Sequence, residues 1–367
     1  MKIQTFSIAL FTLLFCVACN SSDTSNSSTE EINSSIYDNN ETVEEPTSLD
    51  EPYSYQQWYL LKDTSFYDRH NIDDDANIHL GDLHATYSGR GVRVAVIDNG
   101  LDMNHADLAH ALIASFDSAT KTTDVSQTQV DEYHGTAVTG IIAARHNGIG
   151  VLGVAYNASL IFLKYKPEMT DSETIELFDK AEAFGADIIS CSWGTYDVSD
   201  AVRDKIIDLS HHGRGGKGTL IVFAVGNDDY NLDNYNDESS IPEVIAVGAT
   251  DKYNLRAYYS NYGESLDVMA PGGYELALPT LDVTGSAGEN RGDYIFYYNN
   301  FQGTSAAAPV VSGSLALLLE KYPNLTHDEV IELLKIKSDK IGDVPYDVTG
   351  FNSYYGYGKI NVSKLLE

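Results

Sequence analysis

The chain of 367 residues has little cysteine and little positive charge, and each shortage removes a class of protein. Its 3 cysteines cannot build a disulfide framework. Cys16 and Cys19 both lie in the amino-terminal run, which leaves Cys191 alone, and no structural disulfide is expected. Only 23 lysines and arginines stand against 54 aspartates and glutamates, a net charge of −31. A field of that sign repels phosphate backbones and anionic lipid, so nucleic-acid binding is excluded and cationic partners, metal ions or basic peptides, are favoured. Long hydrophobic runs are also missing. The longest, Ile3 to Ala18, is broken by Gln4, Thr5, Ser7 and Thr12 and is too short for a confident membrane span. What is present is 43% hydrophobic and 11% aromatic content. That is enough for one large core or two modest ones, so neither disorder nor a stapled mini-protein is expected.

The first segment reads as an address rather than as structure. Lys2 followed by the apolar run has the form of a signal peptide over residues 1–18. The run ends in Val17-Ala18-Cys19 before Asn20-Ser21-Ser22, which resembles the lipobox of bacterial lipoproteins, with Cys16 where that motif usually carries leucine. The resemblance implies that Cys19 becomes the lipidated first residue of a secreted protein anchored to a bacterial membrane, facing the periplasm or the cell exterior. An ordinary signal peptide with an incidental cysteine is the alternative. Residues 19–50 are rich in Ser, Thr, Asn and Glu and cannot bury enough surface to offset ordering entropy, so a disordered tether is expected. Residues 51–367 show no second shift in composition and no repeat, and read as one domain.

Within that domain, Val92 to Ile97, Leu160 to Leu163, Ile188 to Ser190, Leu220 to Val225 and Val244 to Val247 are short apolar runs bounded by Gly, Asp or Asn, as buried parallel strands are. Helical patterns separate or follow them: Thr136 to Arg145, Ser172 to Phe184, Ala201 to His211, Ser305 to Tyr322 and Thr326 to Lys337. The alternation predicts an α/β fold, a parallel sheet with helices on both faces joined by right-handed crossovers. Chemistry then collects beyond the carboxyl ends of the strands.

Polar residues interrupt the chain at those ends. Val94-Ala95-Val96-Ile97 runs into Asp98-Asn99-Gly100, and His134-Gly135-Thr136 opens an apolar helix. Gly303-Thr304-Ser305 opens a second, and Phe223-Ala224-Val225-Gly226 ends on Asn227. Each alone has a bland reading, as a turn, a cap or a structural histidine. Together, an acid, an imidazole and a hydroxyl supply what is needed to orient a base, deprotonate a nucleophile and attack a carbonyl, with an amide donor for the oxyanion.

With these motifs, with Ser192-Trp193-Gly194, and with Ala306-Ala307-Ala308-Pro309 after Ser305, the chain resembles the subtilisin-like serine peptidases from about Glu51 to Lys359. The resemblance implies a subtilisin-like sheet and a single catalytic domain. Ser305 would be the nucleophile, His134 the general base and acid, Asp98 the carboxylate that orients it, and Asn227 with the Ser305 backbone amide the oxyanion hole. Ser192, Trp193 and Gly194 would pair with an extended polypeptide substrate through main-chain hydrogen bonds.

Gln56-Gln57-Trp58-Tyr59-Leu60 and Gly213-Arg214-Gly215-Gly216-Lys217-Gly218-Thr219 look like segments of the kexin and furin branch. The second is no phosphate loop, because Lys217 is followed by glycine and the chain enters a strand rather than a helix. This branch implies acidic specificity residues, matched by Asp131, Asp197 and Asp237, and cleavage after a basic residue. Asn99 replaces the second aspartate of furin-type enzymes, so a single basic residue rather than a strict dibasic pair is expected. The family also implies calcium, held by Glu51, Asp107 and Asn147 with the carbonyls of Arg145, Ile149 and Val151. A further calcium would use Asp197 and Asp233, where the third carboxylate appears as Asn261. Asp73-Asp74-Asp75 lacks a loop-ending glutamate and reads as a solvated turn. The chain ends soon after Tyr355-Gly356-Tyr357-Gly358-Lys359, which resembles the close of the catalytic domain, so no P domain is expected. The polar tether is too short for a prodomain.

Two readings of another class compete with an active endopeptidase. One is a binding lipoprotein that keeps the scaffold and has lost turnover, which the intact Ser305, His134 and Asn227 oppose. The other is an acidic calcium-storing or adhesive lipoprotein, which leaves the ordered motifs unexplained.

Overall fold

The computed structural model describes residues 51–129, 132–290 and 301–367, together with two short strands, Gln4–Thr5 and Ile295–Phe296. Apart from Gln4–Thr5, the expected leader over 1–18 lies outside the described residues, as do Cys19 with the tether over 19–50, and Asp131.

Seven parallel strands form the central sheet: β1 (Arg93–Asp98), β2 (Leu112–Asp117), β3 (Ser159–Lys164), β4 (Ile188–Cys191), β5 (Leu220–Ala224), β6 (Ile245–Thr250) and β7 (Val268–Pro271). Their order across the sheet is β2-β3-β1-β4-β5-β6-β7. The helices are α1 (Thr64–His70), α2 (His134–Ala143), α3 (Asp171–Ala183), α4 (Asp200–Gly216), α5 (Thr304–Lys321), α6 (His327–Lys337) and α7 (Val362–Leu365).

Because side chains alternate along a strand, the sheet serves two cores. Val94 and Val96 of β1 face one core with α2 and α5, whereas Ala95 and Ile97 face the other with α3 and α4. Every residue of α2 is buried, as is α5 from Thr304 to Leu319, and both are apolar all round as central helices are. By contrast α3 and α6 are half exposed and begin with capping boxes, Thr170 with Glu173 and Thr326 with Glu329.

The chain leaves β1 toward β2 on one side and returns through β4 on the other. The carboxyl ends of β1 and β4 therefore flank the crevice where open α/β sheets bind ligands. The anticipated strands and helices all form, with ends shifted by at most three residues except at the end of α4. In α4 the backbone leaves helical geometry at Gly213, Arg214 and Gly215, so regular helix stops near His212. Among the described residues no helix is long and apolar enough to cross a membrane.

Candidate active site

Strand β1 delivers Asp98 at its carboxyl end, and α2 begins at His134 against it. A Cβ on Gly135 would lie 2.3 Å from the Gly100 carbonyl oxygen, so glycine is what lets the helix start press on the strand end. His134 Nδ1 then lies 2.9 Å from Asp98 Oδ1 and 3.1 Å from Oδ2. Asp98 Oδ1 also accepts from the Asn99 amide at 2.8 Å, and the Asn99 side-chain oxygen accepts from the Gly135 amide at 3.1 Å, which ties the two ends together. Both partners are buried. A carboxylate at Nδ1 favours the tautomer protonated there. Nε2 is then the proton acceptor, and it is buried with no hydrogen-bond partner among the described residues.

Ser305 sits in the first turn of α5, at the positive end of an 18-residue helix. The turn into the helix passes through Gly303 at φ 126°, which favours glycine, and a Cβ there would approach Asn227 Nδ2 to 3.2 Å. Ser305 Oγ donates to the Ser192 carbonyl at 3.3 Å, and Ser192 Oγ donates to the Ser305 carbonyl at 3.0 Å. The second bond answers a defect written in the sequence. Pro309, four residues on, has no N–H to offer the Ser305 carbonyl, and Ser192 supplies the donor.

Asn227 follows β5. Its side-chain oxygen accepts from the Thr304 amide at 2.8 Å and from Thr304 Oγ1 at 3.0 Å, which orients the carboxamide with Nδ2 on the Gly303 side. Trp193–Gly194 is a short strand after β4, with the Trp193 indole donating to the Ile97 carbonyl at 2.9 Å. The backbone of Gln4–Thr5 pairs with it antiparallel, Gln4 opposite Gly194 and Thr5 opposite Trp193. This edge thus accepts an extended segment.

Of the acidic residues that the resemblance implies for specificity, Asp197 and Asp237 are among the described residues. Asp197 is exposed, its backbone bridged to Asn236, where the resemblance to the kexin and furin branch implies a buried carboxylate. Asp237 is buried, but its oxygens are engaged: Oδ2 accepts from the Tyr196 amide at 2.9 Å, and Oδ1 from the Ser239 amide and hydroxyl. Beside it Glu238, not anticipated, is equally buried and accepts from the Thr195 amide and hydroxyl. Burial pushes both carboxyls above the ordinary range, and for Glu238 the Asp237 charge adds to it. The pair braces the segment after Gly194. Also unanticipated are Tyr196 and Asp228, which stand next to recognised motifs, two residues past Gly194 and one past Asn227, and are joined by a hydroxyl-to-carboxylate hydrogen bond.

Among the described residues no three His, Cys, Asp or Glu side chains gather into a metal-holding group. Two carboxylates do meet in the anticipated calcium loop. Glu51 Oε1 accepts from the Asn147 and Gly148 amides, and Asp107 Oδ2 from the Val151 amide. Glu51 Oε2 and Asp107 Oδ1 are buried without a hydrogen-bond partner among the described residues. Burial, with the Glu51 charge adding to it, pushes the Asp107 carboxyl up to about 8. Two orphaned buried oxygens are what a hard cation needs and what a protein leaves unpaired only at a cost. Asn147 is exposed, its oxygen accepting from the Ile149 amide at 3.1 Å. The further calcium set loses a ligand, because the Asn261 oxygen accepts from the Asp228 and Tyr230 amides; Asp233 is exposed and accepts from the Glu264 amide.

Comparison with known proteins shows the family and the fold. The chain is 32% identical over 343 residues to a calcium-dependent protease of Nostoc, covering 85% of this chain and 51% of that one. It is 31% identical over 349 residues to kexin of Saccharomyces cerevisiae, covering 89% and 40%. The chain thus spans about half the length or less of these curated relatives. The crystal structure of Aeromonas sobria serine protease in complex with its chaperone ORF2 superposes with TM-score 0.75 at 24% identity, over 86% of this chain and 66% of that one, which shows a shared fold. The peptidase S8 model of the subtilase family matches residues 89–358, and the chain belongs to that family.

Proposed function

We propose that the protein is a serine endopeptidase acting on extended polypeptides, and the observation that carries this is the buried Asp98–His134 pair with its unpartnered Nε2. A peptide lies antiparallel on Trp193–Gly194, as Gln4–Thr5 does. Ser305 Oγ turns from the Ser192 carbonyl toward His134 Nε2, gives up its proton there and attacks the scissile carbonyl. Contacts of this kind are commonly loose in the empty enzyme. The oxyanion is received by Asn227 Nδ2 and by the Ser305 N–H, one of the helix-start amides without an intrahelical acceptor. Asp98 steadies the imidazolium. His134 then protonates the leaving amine, which breaks the C–N bond, and activates water to hydrolyse the acyl-enzyme.

Calcium fits the Glu51 and Asp107 oxygens, and there it supplies positive charge that offsets two buried carboxylates, with Asn147 as a further oxygen donor. The calcium-dependent protease relative supports this reading. The kexin relative supports cleavage after a basic residue. The Val17-Ala18-Cys19 sequence supports an anchor at Cys19 on a bacterial membrane. Steady-state peptidase assays test the central reading. Ser305→Ala and His134→Ala should each remove nearly all activity, and the double change should cost no more, because the residues act as a unit. Asn227→Ala should lower kcat by about 10² to 10³. Near-normal turnover in Ser305→Ala would overturn the reading.

A further inference from the structure

Of the carboxylates expected to read a basic side chain, Asp197 is solvated and Asp237 is occupied, and an acidic, aromatic surface stands next to the site. Asp228 directly follows Asn227, and Tyr196 lies two residues beyond Gly194. The Tyr196 hydroxyl donates to Asp228 Oδ2. The Tyr196 and Tyr235 rings lie 5.5 Å apart at 60°, and Tyr230 stacks on Tyr235 at 5.7 Å and 14°. Tyr230 and Tyr235 are 49% and 38% exposed. Among the described residues Asp228 has no ion pair, while its neighbour Asp229 is paired with Arg256 at 2.9 Å.

The cluster is held in place from below. Tyr196 sits at φ 60°, a left-handed conformation that a bulky residue adopts only when its surroundings enforce it, and its amide is gripped by Asp237. The Asn261 carboxamide accepts from the Asp228 and Tyr230 amides and donates to the Val225 carbonyl, which fixes the loop beyond Asn227. Backbone strain and buried braces present a row of three aromatic rings, Tyr196, Tyr235 and Tyr230, whose first member holds the Asp228 carboxylate.

We propose that Tyr196, Asp228, Tyr230 and Tyr235 form the receptor for a cationic substrate side chain, a guanidinium or ammonium held over aromatic faces and paired with Asp228. The proposal rests on the peptidase reading and names its specificity residues. A ring face attracts a cation through its quadrupole, and the carboxylate adds charge, so recognition occurs at a half-exposed surface rather than on a buried acid. Asp237 is then a positioning residue, acting through the Tyr196 backbone.

The test compares kcat/KM for peptides identical except for Arg, trimethyl-lysine, its neutral tert-butyl isostere, or Phe before the scissile bond. The wild-type protein should favour Arg over Phe and trimethyl-lysine over the isostere, with the first preference shrinking as ionic strength rises. Asp228→Asn should lower the Arg-to-Phe ratio about tenfold, mostly through KM, and Tyr235→Leu should lower the trimethyl-lysine-to-isostere ratio several-fold. Ratios unchanged by either variant, or losses equal on all peptides, overturn the proposal. An enzyme that cleaves after Phe and ignores Arg overturns it too and leaves the peptidase reading intact. A protein that cleaves none of the peptides and does not react at Ser305 overturns both.

Discussion

A buried imidazole outside the site limits the fold at low pH. His84 Nε2 meets the Val154 carbonyl at 3.0 Å, while its Nδ1 is buried without a partner among the described residues. Burial lowers this group to about 4. The unfolded chain takes up a proton from about pH 6.5, the ordinary histidine value, and the folded one does not until about 4. The stability this group contributes is therefore complete above 6.5 and is lost as pH falls through that window, on the order of 3 kcal/mol in all. Melting temperatures followed from pH 7 to 4 at fixed free calcium should fall more steeply in the wild type than in His84→Gln, and parallel curves would contradict this. At this scale the sequence is informative where backbone chemistry marks a residue. Asp98, His134, Asn227 and Ser305 each stand within two residues of a glycine at a strand or helix end, and that neighbourhood makes them readable. Asp197 and Asp237 carry no such mark. Spacing from Gly194 places Asp197 in the right loop, but whether a loop carboxylate meets solvent or a backbone amide depends on distant packing.

Elements show the same division between local and distant causes. Buried runs such as Val94 to Ile97 are legible because they are apolar throughout. Strands β2 and β7 are not, since they lie at the two sheet edges. There Ser115 and Asp117 interrupt one strand, and Pro271 is tolerated in the other. The start of α5 depends on a partner that no local pattern reveals, Ser192 donating to the carbonyl that Pro309 leaves without an amide. Ser192→Ala should strand that buried oxygen and cost about 1 to 3 kcal/mol in denaturant unfolding. Pro309→Ala in the same background should restore an intrahelical donor and recover part of the loss. Strictly additive effects in this double-mutant cycle would contradict the coupling.

For the whole molecule, the excess of acidic residues is legible as a count; that Glu51 and Asp107 share one cation-ready site follows from the family resemblance and not from the count. Glu51 and Asp107 are far apart in sequence and meet only when the segment before α1 and the turn at Ala106–Leu108, between β1 and β2, both close on the loop after α2. An ion bound only by the folded chain stabilises by mass action, about 1.4 kcal/mol for each tenfold rise in free calcium above Kd. The melting temperature should climb with calcium and fall with chelator, and Asp107→Ala should flatten the climb; an unresponsive wild type would contradict the site. The central claim is that these buried groups make Ser305 a nucleophile. A fluorophosphonate followed by peptide mass mapping tests it most directly, because the probe reports activated serine whatever the natural substrate. One adduct, located on Ser305 and absent from Ser305→Ala and His134→Ala, is the expected result; no adduct on the folded wild-type protein, or an adduct on another serine, would contradict it.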